Sequence, residues 1–304
     1  MHPVADQSFS SAPPSAPTRA PRLAFAALVL SNICLSFGPV FVRIAQDDGV
    51  GPVAAAFWRV TLAIPFLLLS LRFSGERIGR LGRPLILLLA VAGLCFALDL
   101  GSWHVGILKT KLANATLFGN STILFLPICG FLLARAWPSR SQAGALLLAA
   151  LGAALLMGRS YDSSPDNLLG DLLCVGAGML YTGYILAMTR VRDVLSAWSA
   201  LTLSTIAGVL PLLVIAHLLG ETIRPHDWTP LIALALVSQV LGQGLMTYAL
   251  VHFQPIVIGL ALLIQPAVAA TVGWAFYGER LGPLDLIGAI AVAIALILVR
   301  RPER

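Results

Sequence analysis

Residues 93–135, GLCFALDLGSWHVGILKTKLANATLFGNSTILFLPICGFLLAR, form two apolar stretches joined by almost no loop. The same residues carry Asp99, Trp103, His104, Lys109, Lys111, Asn114 and Asn120. A charge such as Asp in the middle of a membrane-crossing helix costs about 2.5–3.5 kcal/mol, so a span that keeps one turns it toward a partner or a watery space. The hairpin reads as the lining of a pathway between helices.

The composition around it agrees. The 304 residues are 58% hydrophobic and only 11% charged, with a mean hydropathy of +0.88. No ordinary soluble domain is this apolar, so the chain is expected to be an integral membrane protein whose surroundings are the lipid bilayer. The formal net charge of +6 does not point to nucleic acid, because the basic residues stand in short clusters between apolar spans. Cys34, Cys95, Cys129 and Cys174 each lie inside an apolar segment without CxxC or metal-ligand spacing, so packing is their expected role and no metal or cofactor is expected. Residues 1–21, rich in Pro, Ala and Ser, cannot bury a core and read as a disordered cytoplasmic tail rather than a signal peptide.

At about 20 apolar residues per crossing, spans are expected near 23–42, 52–71, 85–105, 110–134 and 141–158. Five more are expected near 170–189, 197–219, 229–250, 255–277 and 283–300. Ten spans place both termini on one side. If that side is cytoplasmic, thirteen arginines fall inside (Arg19, Arg22, Arg72, Arg77, Arg80, Arg83, Arg135, Arg140, Arg190, Arg192, Arg300, Arg301, Arg304). Six cations fall outside (Arg43, Lys109, Lys111, Arg159, Arg224, Arg280), and this excess favours cytoplasmic termini in a bacterial inner membrane.

Residues 143–157, AGALLLAALGAALLM, echo 287–299, IGAIAVAIALILV, at an offset of 144. The chain therefore divides into a first five-helix repeat (22–158), a periplasmic linker (159–169) and a second repeat (170–304). An odd number of spans per copy inverts one copy relative to the other, the arrangement from which many secondary transporters build alternating access.

Three further segments carry a family resemblance: Phe57-Trp58-Arg59 in the second span, DLGSWHVGILKTKLANA at 99–115, and Gly278-Glu279-Arg280 followed by Gly288. In these the chain resembles the drug/metabolite transporter superfamily, in its ten-span EamA-type branch of bacterial exporters. The resemblance implies an all-α fold of two inverted five-helix repeats, with helices 1 to 4 and 6 to 9 around a central cavity and helices 5 and 10 at the periphery. It also implies export of small metabolites, amino acids and aromatic amino acids among them. One departure stands out: where the first repeat usually carries Glu after its fourth span, this chain has Arg135, and only Glu279 keeps the acid.

Polar or aromatic residues three or four apart share a helix face. Asn32 with Ser36, Asp99 with Trp103, Tyr181 with Tyr184, and Gln239 with Gln243 do so; Asn114 lies two turns from Ser121, and Gln265 stands beside Pro266. Each pair serves either as interhelical hydrogen-bond glue, worth about 0.6 kcal/mol per bond, or as a substrate contact. The candidate substrate residues are Asn32, Ser36, Arg59, Asp99, Trp103, Asn114, Tyr181, Tyr184, Gln243 and Gln265.

Arg59 and Asp99 are the full charges far from a span end, and both lie about 10 Å beneath the outer edge at 1.5 Å per residue. Either they form a structural ion pair or they meet a substrate, whose ammonium needs an acceptor and whose carboxylate needs donors. His104, His217 and His252 read as solvated residues at span ends. Gly38 beside Pro39 is the leading hinge candidate.

The expectation is an exporter of amino acids or related small metabolites acting as a monomer or weak homodimer. Drugs, sugars or nucleotide derivatives are the alternative substrates. An intramembrane enzyme is the rival of a different class; the chain has no HExxH, no GxSxG and no paired membrane aspartates.

Overall fold

A computed structural model describes residues 22–75, 78–109, 118–135, 137–157 and 168–265, together with Val268, Thr271, Ile287, Ile290 and Ile294. The described residues are helical, with turns and loops between the helices and no strand. In chain order they form α1 (Arg22–Ser36), α2 (Gly38–Asp47), α3 (Pro52–Phe73), α4 (Arg83–Lys109), α5 (Thr122–Ala134) and α6 (Arg140–Met157). Then come α7 (Leu168–Arg192), α8 (Ala197–Leu218), α9 (Thr229–Ala233), a π-helical segment (Leu234–Gly242), α10 (Gln243–Ala249) and α11 (Pro255–Ala261). Six of these stretches are long and apolar enough to cross a membrane: 22–47, 52–73, 83–106, 168–192, 197–218 and 229–249. The protein is thus a polytopic helical membrane protein, and the tenth expected span lies almost wholly outside the described residues.

Local chemistry sets the boundaries. The first span breaks at Phe37, between α1 and α2, with Pro39 in the first turn of α2 where its missing N–H leaves no bond unmade. Gly51 caps α3 in an extended conformation with Pro52 at its first position. Ser196 caps α8 by accepting from Ser199 N at 3.2 Å. After α3 and α8 the chain turns at Gly75 and Gly220, whose φ of 67° and 68° lie in the left-handed region that glycine tolerates. The eighth span passes from α9 through the π-helical segment into α10, a wider winding that recurs at functional sites.

The helices of the first half pack chiefly on those of the second. α4 runs along α7 and α8; α3 lies on α8 and the π-helical segment; α1 lies on α10 and that same segment. α5 meets α7 and α11, α1 also touches α11, and α6 touches α5 and α11. Large apolar side chains such as Leu87, Leu132, Leu147 and Leu210 are exposed on the outside, where lipid replaces water as the solvent.

Small residues permit the closest approaches. A Cβ on Gly93 of α4 would stand 2.5 Å from Ala207 Cβ and 2.8 Å from the Ser204 carbonyl oxygen of α8. Because backbone lies on the other side of that contact, Gly93→Leu is expected to cost at least the ~1–3 kcal/mol typical of overpacking. The thermal midpoint of the purified protein in detergent should fall accordingly; an unchanged midpoint would contradict this packing.

Candidate functional site

The centre of the bundle is unusually polar for a membrane protein. Arg59 on α3 is 6% exposed, and Gln239 and Thr205 beside it are 0% and 1% exposed. Arg59 Nε donates to Gln239 Oε1 at 3.0 Å, and Gln239 Nε2 donates onward to Thr205 Oγ1 at 3.1 Å. The guanidinium also stands over the Phe96 ring, 5.6 Å from Cζ to the centroid. Phe96 stacks on Tyr184 at 4.7 Å, which stacks on Tyr181 at 5.7 Å, so arginine and tyrosines share one aromatic wall.

Asp99 is within electrostatic reach of Arg59, but the two form no ion pair. The direct structural pair is therefore not the arrangement found: Arg59 turns to the neutral Gln239 instead. Among the described residues Asp99 has no hydrogen-bond or ion-pair partner.

The other expected residues separate into two groups. Asn32 donates to Leu28 O at 2.8 Å and accepts from Gln265 Nε2 at 3.0 Å, while Ser36 donates to Asn32 O at 2.6 Å. These three are satisfied, and they tie the first span to the residues following α11. Gln243 Nε2 donates to Tyr181 Oη at 3.2 Å, linking α10 to α7, and its Oε1 has no partner among the described residues. Trp103 is half-buried with its ring 5.3 Å from that of His104, close against Gly119. Asn114, Lys111, Pro266, Glu279 and Gly288 lie outside the described residues. Gly38 sits where a Cβ would come within 3.3 Å of Ser238 Oγ, itself buried and unpartnered among the described residues.

His104 corrects its sequence reading. It is fully buried rather than solvated, with Nδ1 2.8 Å from the Pro52 carbonyl oxygen, because α4 runs against the start of α3 at that height. His217 is exposed at the end of α8 and His252 half-buried after α10.

One end of the bundle is sealed by contacts that residue faces did not reveal. Asp48 Oδ2 accepts the backbone N–H groups of His226 and Asp227 at 3.0 and 2.7 Å. Gly51 N donates to Thr222 O at 3.0 Å, Trp58 Nε1 donates to Ile223 O at 2.6 Å, and the Trp58 and Trp228 rings meet edge-on at 4.9 Å. Glu221 Oε2 accepts from Ala54 N at 2.7 Å, so a carboxylate from the loop after α8 caps the positive end of α3. Asp227 in turn accepts from Thr229 N at 2.8 Å, which holds its carboxyl below the usual range.

Burial pushes the Glu221 carboxyl above its ordinary value, while the Ala54 and Val53 N–H groups pull it back. A raised carboxyl favours the sealed arrangement when protonated. Its contribution is complete below the ordinary value and is lost as pH rises through the raised one. Amide protection across residues 48–58, corrected for intrinsic exchange, should therefore decline over that interval. Glu221→Gln should flatten the decline, and an equal decline in the variant would rule the carboxyl out.

The arrangement offers recognition rather than bond-making chemistry: a held cation, an acidic side chain with no hydrogen-bond or ion-pair partner among the described residues, and aromatic surfaces. No group of three or more His, Cys, Asp or Glu suited to a metal occurs among the described residues.

Comparison with known proteins places the chain among transporters. The profile of the EamA-like transporter family matches residues 22–158 and 168–301. The chain is 25% identical over 250 residues to the pseudopaline exporter CntI of Pseudomonas aeruginosa, covering 82% of this chain and 86% of that protein. It is 30% identical over 151 residues to the threonine/homoserine exporter RhtA of Escherichia coli K12, covering 49% of this chain and 51% of that one. A solved crystal structure shares the fold with a TM-score of 0.73 at 14% identity, covering 93% of this chain and 97% of its own.

Proposed function

Because the chain belongs to the EamA-like transporter family, we propose that it exports amino acids or related small metabolites across a bacterial inner membrane by alternating access. Family and relatives are transporters rather than enzymes, and the relatives named above are exporters of small molecules. The observation that carries the amino-acid reading is that a basic and an acidic side chain in the membrane interior, Arg59 and Asp99, form no ion pair, Arg59 bonding to the neutral Gln239 instead. Two unjoined charges at depth are costly in hydrocarbon, and a zwitterion set between them neutralises both. Its carboxylate meets the guanidinium, its ammonium meets Asp99, and Tyr181, Tyr184 and Trp103 border the side chain. Asn114 is proposed to complete the polar lining, with Gln243 and Gln265 as interhelical partners at its edge.

Two inverted five-helix repeats, 22–158 and 170–304, are the proposed framework, with ten spans in all and helices 5 and 10 at the periphery. The pattern of neighbours supports this. Exchanging each span with the one five places on turns first-on-eighth into sixth-on-third, second-on-eighth into seventh-on-third, and fourth-on-sixth into ninth-on-first, and all six contacts occur. Gly75-Glu76-Arg77-Ile78 and Gly220-Glu221-Thr222-Ile223 also match at an offset of 145, with matching left-handed glycines. Both termini are proposed to be cytoplasmic, which makes the sealed end periplasmic and residues 159–169 a periplasmic linker. Gly38 and Pro39, next to the break at Phe37, are the proposed hinge of the first span.

Ligand binding to the purified protein tests the reading. A zwitterionic amino acid should bind about tenfold or more tightly than either its decarboxylated amine or its deaminated acid, since each analogue strands one charge. Equal binding of all three would overturn the amino-acid assignment and favour drugs, sugars or nucleotide derivatives.

A further inference from the structure

Among the described residues Arg59 makes one hydrogen bond, through Nε, the atom on the stem side of the guanidinium, and the acceptor is a neutral amide. Neither Nη group has a hydrogen-bond partner among the described residues, and neither is a sealed, unsatisfied atom. The amide is itself fixed, because Gln239 Nε2 is tied to Thr205 Oγ1 on α8 and Gln239 projects from the π-helical segment. An arginine bound at Nε presents its terminal fork, the geometry that receives a carboxylate through two parallel bonds. A buried arginine is more commonly matched with a carboxylate, which would hold the side chain equally well but cancel its charge.

We propose that Gln239 is a positioning and specificity-determining residue. Through Thr205 it aims Arg59 while leaving the guanidinium charge uncancelled, and so selects substrates that carry a carboxylate. The inference rests on the amino-acid reading above, and the choice of amide rather than acid at position 239 is what goes beyond it.

The decisive variant is Gln239→Glu, almost identical in shape. It keeps an acceptor at Arg59 Nε and places a negative charge against the guanidinium. The measurement is the ratio of apparent affinities for a zwitterionic amino acid and for its carboxamide, which retains the amine and loses the anion. Gln239→Glu is expected to retain the parental thermal midpoint and to lose the preference for the carboxylate by about tenfold or more, with carboxamide binding unchanged. A role confined to satisfying a buried arginine predicts the parental ratio, and that result overturns the proposal.

Thr205→Val, which releases Gln239 Nε2 without changing bulk, provides the second variant should the first fail to fold. Its ratio should fall severalfold, and an unchanged ratio again counts against Gln239. Arg59→Gln separates the levels. If it keeps the parental ratio, the amino-acid reading itself is wrong; if it loses the ratio while Gln239→Glu keeps it, only the role of Gln239 falls.

Discussion

Asp99→Asn is expected to weaken the apparent affinity for zwitterionic amino acids by roughly one to two decades while leaving expression and thermal midpoint close to the parent. The loss is that of a charge-assisted hydrogen bond, about 1.5–3 kcal/mol. Folding should survive because Asp99 has no described partner to strand, whereas Arg59 keeps its bond to Gln239. Analogues lacking the amine should bind the variant as they bind the parent, since they never engaged the carboxylate. A structural pair predicts the opposite: each single change damages folding, and the double variant Arg59→Gln with Asp99→Asn restores it. A double variant that transports amino acids as well as the parent would sink the recognition role of both charges and leave the Asn and Gln faces as the next candidates.

The second large effect concerns the sealed end. Asp48→Cys and Asp227→Cys place thiols across the seam where the Asp48 carboxylate now reaches the Asp227 N–H. Bridging them with a short bis-methanethiosulfonate, which joins each thiol through a disulfide, is expected to cut transport about tenfold or more, and a reductant that cleaves those disulfides should restore it, because the proposed alternating access requires this end to open once per cycle. The uncrosslinked double variant is the control for loss of the Asp48 hydrogen bonds. Full transport with complete crosslinking would mean that this seam stays closed throughout the cycle, and the inverted-repeat mechanism would have to be abandoned.

What the sequence made legible follows physical range. Span positions depend on local hydropathy and punctuation, so the expected 52–71, 197–219 and 229–250 lie within two residues of the helical ends at Pro52–Phe73, Ala197–Leu218 and Thr229–Ala249. Gly38-Pro39 marked the break at Phe37 because proline acts on its own turn. Depth along a helix rests on the same local counting, which sets Arg59 and Asp99 at one expected level.

Azimuth and partner choice were not readable. Arg59 turned to Gln239, Asn32 found Gln265, and His104 was buried against Pro52, because each partner lies across a helix interface that one-dimensional periodicity does not encode. The π-helical winding of LALVSQVLG has no residue signature, although it decides where Ser238 and Gln239 sit. The seam was missed for a different reason: its bonds run to backbone groups in loops and at the first turn of α3, where side-chain patterning carries no information. The matched Gly-Glu-x-Ile tetrads at 75 and 220 were its available sequence signal.

Whether this chain moves amino-acid-like zwitterions is decided by counterflow in proteoliposomes. Vesicles holding the purified protein and a high internal concentration of one unlabelled amino acid are placed in a trace of the same labelled compound, across a panel of neutral, aromatic and hydroxylated amino acids. Protein-dependent, saturable and transient accumulation of label is expected for at least one of them, absent with its decarboxylated amine and reduced by about tenfold or more in Asp99→Asn. No accumulation of any amino acid by protein shown to be folded, or equal accumulation of the amine, would contradict it.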